Sequence, residues 1–289
     1  MSPEPNLGLA LNYRFAKGAR ARVSYAQSNR APTPVELSCA DKAAPCSLTN
    51  FFVADPALKQ VIAQNLAASI WAQPGGPWHL EWQLSAYRST SANDIQFLPS
   101  VIRGRAYFRN IGTTLRQGVD LSTSAHRGPW TLRAGYSFTD ATFRSAFVLN
   151  SVDNPGADSN GQIAVRRGDR LPSIPRHRAT LSVAYDRKRV SIGADAQFQS
   201  GQILLGDEAN LQSPTRDFAL FGVHGSAQLT PSLSIFADVR NLFNAKYATF
   251  GTFAQTSSVV FSEAPGASDP RSLSRGAPRR WSAGLRARL

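Results

Sequence analysis

The chain of 289 residues carries 32 lysines and arginines against 19 acids, a formal charge of +13, and 42% of it is hydrophobic. No run of about 18 apolar residues occurs, which excludes a spanning helix. Five residues are lysine (17, 42, 59, 188 and 246), so 32 − 5 = 27 are arginine, and their scatter at alternate positions argues against a nucleic-acid patch.

From Asn6 the first predicted strand sets Leu7, Leu9, Leu11, Tyr13 and Phe15 against Gly8, Ala10, Asn12 and Arg14, the two-residue rhythm of a strand with one apolar face. Lys17-Gly18 turns it into a return strand, Ala19 to Tyr25. A proline-rich loop is expected from about Gln27 to Gln60. A third strand spans Val61 to Ala72, where Val61 to Ile70 also suits a short helix, and ends at Gln73-Pro74-Gly75-Gly76-Pro77. The fourth begins at Trp78 and is free to run to Phe97, and the fifth covers Arg105 to Ser124 with interruptions at Arg109 and Gln117. Trp130 to Thr139 is the sixth. After a long loop from about Arg144 to Pro175 come the seventh, from Ala179 to Tyr185, and the eighth, from Val190 to Gln199. The ninth lies near Arg216 to Leu229, the tenth runs from Leu233 to Arg240, and the eleventh from Arg280 to Leu289.

Short and long connections alternate along this meander. A soluble sandwich has no reason to sort its loops in this way, whereas outer-membrane barrels place tight turns at one end and long loops at the other. Several strands reach the roughly 9 to 11 residues that a tilted membrane strand needs. Aromatics such as Tyr13, Tyr25, Trp78, Trp130, Tyr136, Phe138, Tyr185, Phe198 and Trp281 gather toward strand ends, as an interfacial girdle requires. The fold class expected is all-β: an antiparallel meander of about 11 strands forming part of a transmembrane β-barrel. The competing reading is a secreted or surface all-β binding or adhesion protein, in which the apolar rows would face each other across two layers.

Little in the sequence suggests chemistry. There is no nucleophile elbow, phosphate loop or supported carboxylate pair, so neither an enzyme, a cofactor nor a metal site is expected. Asp153, Asp158, Asp169, Asp207 and Glu208 lack the order of a calcium loop and read as solvated loop charge. His79, His126, His177 and His224 lie far apart and read as hydrogen-bonded or turn residues. Cys39 and Cys46 suit a small disulfide in an oxidising compartment, against the alternative of free or metal-binding thiols. Arg103, Arg105 and Arg109 cluster near the outer rim and form a candidate site for an anionic ligand.

Several short segments resemble the TonB-dependent outer-membrane receptors. They are the run with Arg30, Pro32, Glu36 and Leu37; Asn110-Ile111-Gly112 with Gly118-Val119-Asp120; Leu171-Pro172 with Pro175-Arg176-His177; Asn241 through Tyr247 with Gly251 after it; and Gly276-Ala277-Pro278-Arg279. That resemblance covers nearly the whole chain. It implies a 22-stranded barrel closed by a plug, importing a scarce nutrient such as a ferric siderophore with energy from the TonB complex. It further implies residence among outer-membrane lipid in a Gram-negative bacterium and assembly by the barrel-assembly machinery. Residues 1–289 then correspond to the C-terminal strands. The plug and the export signal are absent from them, since Met1-Ser2-Pro3-Glu4-Pro5 has no basic or apolar signal region. An odd strand count likewise implies further strands upstream. Leu289 departs from the family's usual terminal Phe.

Overall fold

The computed structural model describes residues 5–40, 58–100, 105–254, 266 and 268–287. In chain order β1 (Leu7–Ala16) and β2 (Ala19–Arg30) precede a one-turn helix α1 (Pro34–Ser38), then β3 (Val61–Ala72) and β4 (Glu81–Ala92) follow. Next come a small hairpin of β5 (Ile95–Pro99) and β6 (Ala106–Asn110), and the long pair β7 (Thr114–Arg127) and β8 (Trp130–Phe143). A second small hairpin, β9 (Phe147–Asn150) and β10 (Gln162–Val165), separates these from β11 (His177–Arg187), β12 (Val190–Gln199), β13 (Phe218–Thr230) and β14 (Leu233–Arg240). A third, β15 (Ala248–Phe253) and β16 (Arg271–Arg275), precedes the last strand, β17 (Arg280–Ala287).

Eleven strands form one antiparallel sheet in the order β1-β2-β3-β4-β7-β8-β11-β12-β13-β14-β17, the predicted meander. β1 and β17 stand at its two ends, so the sheet is not closed within these residues. The six remaining strands are the three small hairpins, and all lie in the long connections.

Register fixes the two faces. One rung across five strands reads Gln83, Ser122, Gly135, Thr180 and Gln197; the adjacent rung reads Leu84, Leu121, Tyr136, Ala179 and Phe198. One step along the strand thus exchanges a polar row for an apolar one, because side chains alternate across the sheet. The apolar rows are not covered by a second layer: Leu9 is 78% exposed, Leu285 66% and Ile192 58%. A stacked sandwich is thereby set aside.

The buried core lies elsewhere, at the end where the long connections gather. Leu98, Tyr107, Ile111, Phe143, Leu149 and Ile163 pack together there. A smaller cluster joins Leu58, Val61 and Ile95.

Several boundaries differ from expectation, β8 among them, which runs on to Phe143. β2 continues to Arg30, and the proline-rich segment after it winds into α1, since Thr33 caps the helix and Glu36 returns the bond. β4 starts at Glu81, because His79 takes φ 35° and breaks the extended run after Trp78. β4 also stops at Ala92, where Asn93 takes φ 53°, so Ile95 to Pro99 belongs to a separate hairpin. The expected fifth strand is accordingly two, β6 and β7, divided at residues 111–113.

Candidate ligand-facing wall and loop cap

The polar rungs of β3 through β17 line one concavity of about 1250 Å³. Its charged members include Glu81, Arg133, Asp195, His224, Arg240 and Arg280. His224 Nδ1 lies 3.2 Å from Asp195 Oδ2, and Ser282 Oγ bonds to Asp238 Oδ1. Arginines at alternate positions of β1 and β2 extend the same face, as the pairings Arg14 with Arg20 and Asn12 with Arg22 require. The wall is polar and predominantly basic.

The segments singled out by resemblance are joints where the wall meets the loops. Arg30, the last residue of β2, binds Glu36 through Nη1 to Oε2 at 2.6 Å and Nη2 to Oε1 at 2.9 Å. Glu36 Oε2 also accepts the Thr33 backbone N–H at 2.7 Å, and Pro32 lies in the bend between. The guanidinium, aided by the bonds from Thr33, holds the Glu36 carboxyl below the usual carboxylate range. Asn110 bridges three segments: Nδ2 donates to the carbonyls of Asn93 at 2.7 Å and Lys59 at 3.0 Å, and Oδ1 accepts the Lys59 N–H at 2.8 Å. At Gly118 a Cβ would lie 2.8 Å from the Tyr87 hydroxyl oxygen, so only glycine lets Tyr87 cross the strand to meet Thr139 Oγ1 at 3.1 Å. Pro175 is buried just before β11, beside the Arg176–Asp140 ion pair at 2.9 Å.

The last joint unites two segments. Asn241, at φ 49°, donates from Nδ2 to the carbonyls of Ala245 and Ala277, and Asn244 Oδ1 accepts the Arg279 N–H at 2.9 Å. The Tyr247 ring lies flat on Gly276, where a Cβ would stand 2.0 Å from Cζ. These bonds aim β17 into its place against β14. Gly251, in β15, offers its carbonyl to the Leu205 N–H at 2.9 Å.

Residues 201–217 are the keystone of the cap. Ser151 Oγ and Asn154 Nδ2 both donate to the Gly206 carbonyl, Asn210 exchanges bonds with Arg170, and Gln202 Nε2 donates to the Thr249 carbonyl. Asp207, fully buried, accepts from Asn154 Nδ2 and from the N–H groups of Leu211 and Gln212, each at 2.9 Å. Glu208 is 5% exposed; its Oε1 accepts the Gly206 N–H, while Oε2 has no hydrogen-bond partner. Burial pushes its carboxyl up to about 7, with the neighbouring Asp207 adding to the effect. The expected solvated charge is therefore corrected for this pair, because packing of three loops removes water from it. Asp158 and Asp169 accept backbone N–H groups of their own turns instead.

A second buried network escaped sequence reasoning. Asp94 Oδ2 accepts Thr114 Oγ1 at 2.7 Å and approaches Arg116 Nη2 at 3.5 Å, tying the β4–β5 junction to the start of β7. Asn93-Asp94 as a turn pair was the available signal.

Of the candidate anion site, Arg105 and Arg109 are exposed on or beside the β5–β6 hairpin, with Arg109 opposite Gln96. Arg103 lies outside the described residues. Cys39, at the C-cap of α1, is disulfide-bonded; Cys46, like Leu289, also lies outside them. Among the described residues no group of three or more His, Cys, Asp or Glu could hold a metal ion, and no helix is long and apolar enough to cross a membrane. The histidines take the roles expected: His177 Nδ1 meets the Tyr136 hydroxyl at 2.8 Å, and His126 Nδ1 meets Thr131 Oγ1 at 3.2 Å.

Residues 4–242 match the family model described as the TonB dependent receptor-like β-barrel. The chain belongs to that family. Its fold is similar to that of the siderophore receptor PiuA from Acinetobacter baumannii, with a TM-score of 0.67 at 15% identity over 97% of this chain and 35% of that one. The ferric-catecholate import receptor Fiu from K12 E. coli gives 0.62 at 18% identity, over 97% and 34%. The copper transporter OprC gives 0.63 at 17% identity, over 97% and 39%. This chain of the TonB-dependent receptor family thus spans little more than a third of the length of these structures.

Proposed function

We propose that the chain forms part of the barrel wall and the external loop cap of an active-transport receptor in the outer membrane of a Gram-negative bacterium. Its cargo is a ferric siderophore, and the TonB complex supplies the energy through a plug that residues outside this chain contribute, together with the remaining strands. Outer-membrane lipid bathes the apolar rows, and the barrel-assembly machinery inserts the strands.

The observation that carries this reading is the two-faced wall, apolar rungs open on one side and a basic, polar concavity on the other, with the described parts of the long connections gathered at one end. Membership in the receptor family and likeness to siderophore receptors support it. A basic wall and the exposed arginines Arg105 and Arg109 suit an anionic chelate.

The test is uptake by the complete receptor that carries this chain. Cells limited for iron should accumulate radiolabelled ferric siderophore, an uncoupler should stop it, and a combined Arg103→Ala, Arg105→Ala, Arg109→Ala variant should take up less at the same surface level. Uptake of copper with no iron chelate would replace the cargo. Uptake indifferent to the uncoupler would remove the energy coupling.

A further inference from the structure

At the short-turn end the apolar face is not uniform. On β12, β13, β14 and β17 it closes with Val190, Leu229, Leu233 and Ala287. On β7, β8 and β11, and in the turn that leads into β4, it closes instead with Arg127, Trp130, Tyr185 followed by Arg187, and Trp78. Register places Arg127 opposite Trp130, and Trp130 opposite Tyr185. The Arg127 guanidinium stands 5.6 Å from the centre of the Trp78 ring, and the rings of Trp130 and Tyr185 meet edge-on at 4.8 Å. Trp78, Arg127, Gly128, Pro129 and Trp130 line an open cleft of about 440 Å³. Arg187 follows Tyr185 by two residues, hence on the same face; two strand spacings across and two residues along the strand place its Cα roughly 12 Å from that of Arg127.

Both arginines are exposed, and neither forms an ion pair with a described residue. The nearby acids are on the other face: Glu81 is opposite Ser124 and accepts from Gln73 Nε2, and Asp186 is opposite Ser191. Two unneutralised cations thus flank exposed indole rings at the edge of an apolar wall whose next outward residues are Leu132 and Val183.

We propose that this sector binds one anionic glycerophospholipid of the periplasmic leaflet. Its phosphate sits between Arg127 and Arg187, its glycerol backbone against Trp78 and Trp130, and its acyl chains along Leu132 and Val183. The charge complementarity selects the headgroup, and the aromatic rings set its depth. The inference rests on the membrane reading above.

The experiment is native mass spectrometry of the complete receptor that carries this chain, delipidated in neutral detergent. Dioleoylphosphatidylglycerol, dioleoylphosphatidylcholine and inorganic phosphate are added separately. One phosphatidylglycerol should remain bound, phosphatidylcholine should bind more weakly, and phosphate alone should not bind. The double variant Arg127→Gln, Arg187→Gln should lose about thirtyfold in apparent affinity for phosphatidylglycerol, from two surface cations. Trp78→Leu should weaken both lipids, and Lys188→Gln neither. Equal phosphatidylglycerol binding by wild type and the double variant overturns the site, as does equal binding of the two lipids by wild type. Heat-modifiable mobility, recorded for each sample, separates the two levels: a folded barrel without lipid preference defeats this site alone, whereas a chain that never yields a barrel defeats the membrane reading with it.

Discussion

Arg30 and Glu36 clasp each other through two parallel hydrogen bonds, 2.6 and 2.9 Å long, across the bend that carries the chain out of β2 into α1. A planar guanidinium fits a carboxylate in this way where an ammonium does not. The pair therefore fixes the direction in which the first long connection leaves the wall.

Arg30→Lys and Glu36→Gln should each loosen that connection. Glu36 is nearly buried but the Arg30 side chain is 47% exposed, so solvent screening reduces the cost to about 1 to 2 kcal/mol. Limited proteolysis between residues 31 and 40 should accelerate in both, and the double variant should be no faster than either single one. Because the folded-state carboxyl is depressed, its stabilisation is present above the unfolded value and is lost as pH falls through the folded one. Equal pH sensitivity of wild type and Glu36→Gln in the acid range would contradict this.

Glu208 works in the opposite sense. Its carboxyl is raised from 4.5 to about 7, so the folded cap holds the proton more tightly than the unfolded chain. The stabilisation is complete below pH 4.5 and disappears as pH rises through 7, a difference on the order of 3 kcal/mol. Hydrogen-exchange protection factors of residues 201–217 should fall between pH 4.5 and 7 and level off above, and Glu208→Gln should flatten that decline. A steeper decline in the Gln variant would be the wrong result.

Tyr247 and Gly276 form a single unit. Adding a methyl group at 276 drives the ring off, and Gly276→Ala should cost about 1 to 3 kcal/mol of overpacking. In a Tyr247→Ala background the same change should cost little, which urea unfolding of the four variants measures. Additive effects would mean that the ring does not occupy that place.

The wall can be tested one residue at a time. Leu121 and Ser122 are neighbours on opposite faces. Leu121→Arg should cost about 2 to 4 kcal/mol for folding into phosphatidylcholine vesicles, and Ser122→Arg far less. Similar folding yields for the two would remove the lipid-facing assignment.

The sheet was legible because each wall strand is long enough for the two-residue rhythm to stand out. Even β3, which also suited a helix, keeps the predicted limits Val61 and Ala72. The cap was not, because its strands have only four to six residues, too few to establish a period. Ile95 and Phe97 fall one step out of phase with Trp82, Leu84 and Ala86 of β4, and the backbone of Asn93 makes the break. Thr33 and Glu36, three apart ahead of Leu37, carried a capping signature that local reading could have taken up. Burial of Asp207 and Glu208 had no local sign at all, since it depends on residues 151–154 arriving from more than 50 positions away. Resemblance marked Asn241, Tyr247 and Gly276, and only coordinates explain why those types are needed.

The location of the packed core, in the loop cluster rather than in the sheet, divides the molecule into two kinds of material. A side chain that meets a fluid solvent need only be greasy, whatever its shape, so one aliphatic residue on the outer rungs can replace another freely. In the cap, Phe143 or Ile163 is fitted by solid neighbours and tolerates no such exchange. Sequence drift should therefore blur the wall while preserving its rhythm, and a designer could graft foreign caps onto it more readily than remodel this one from within.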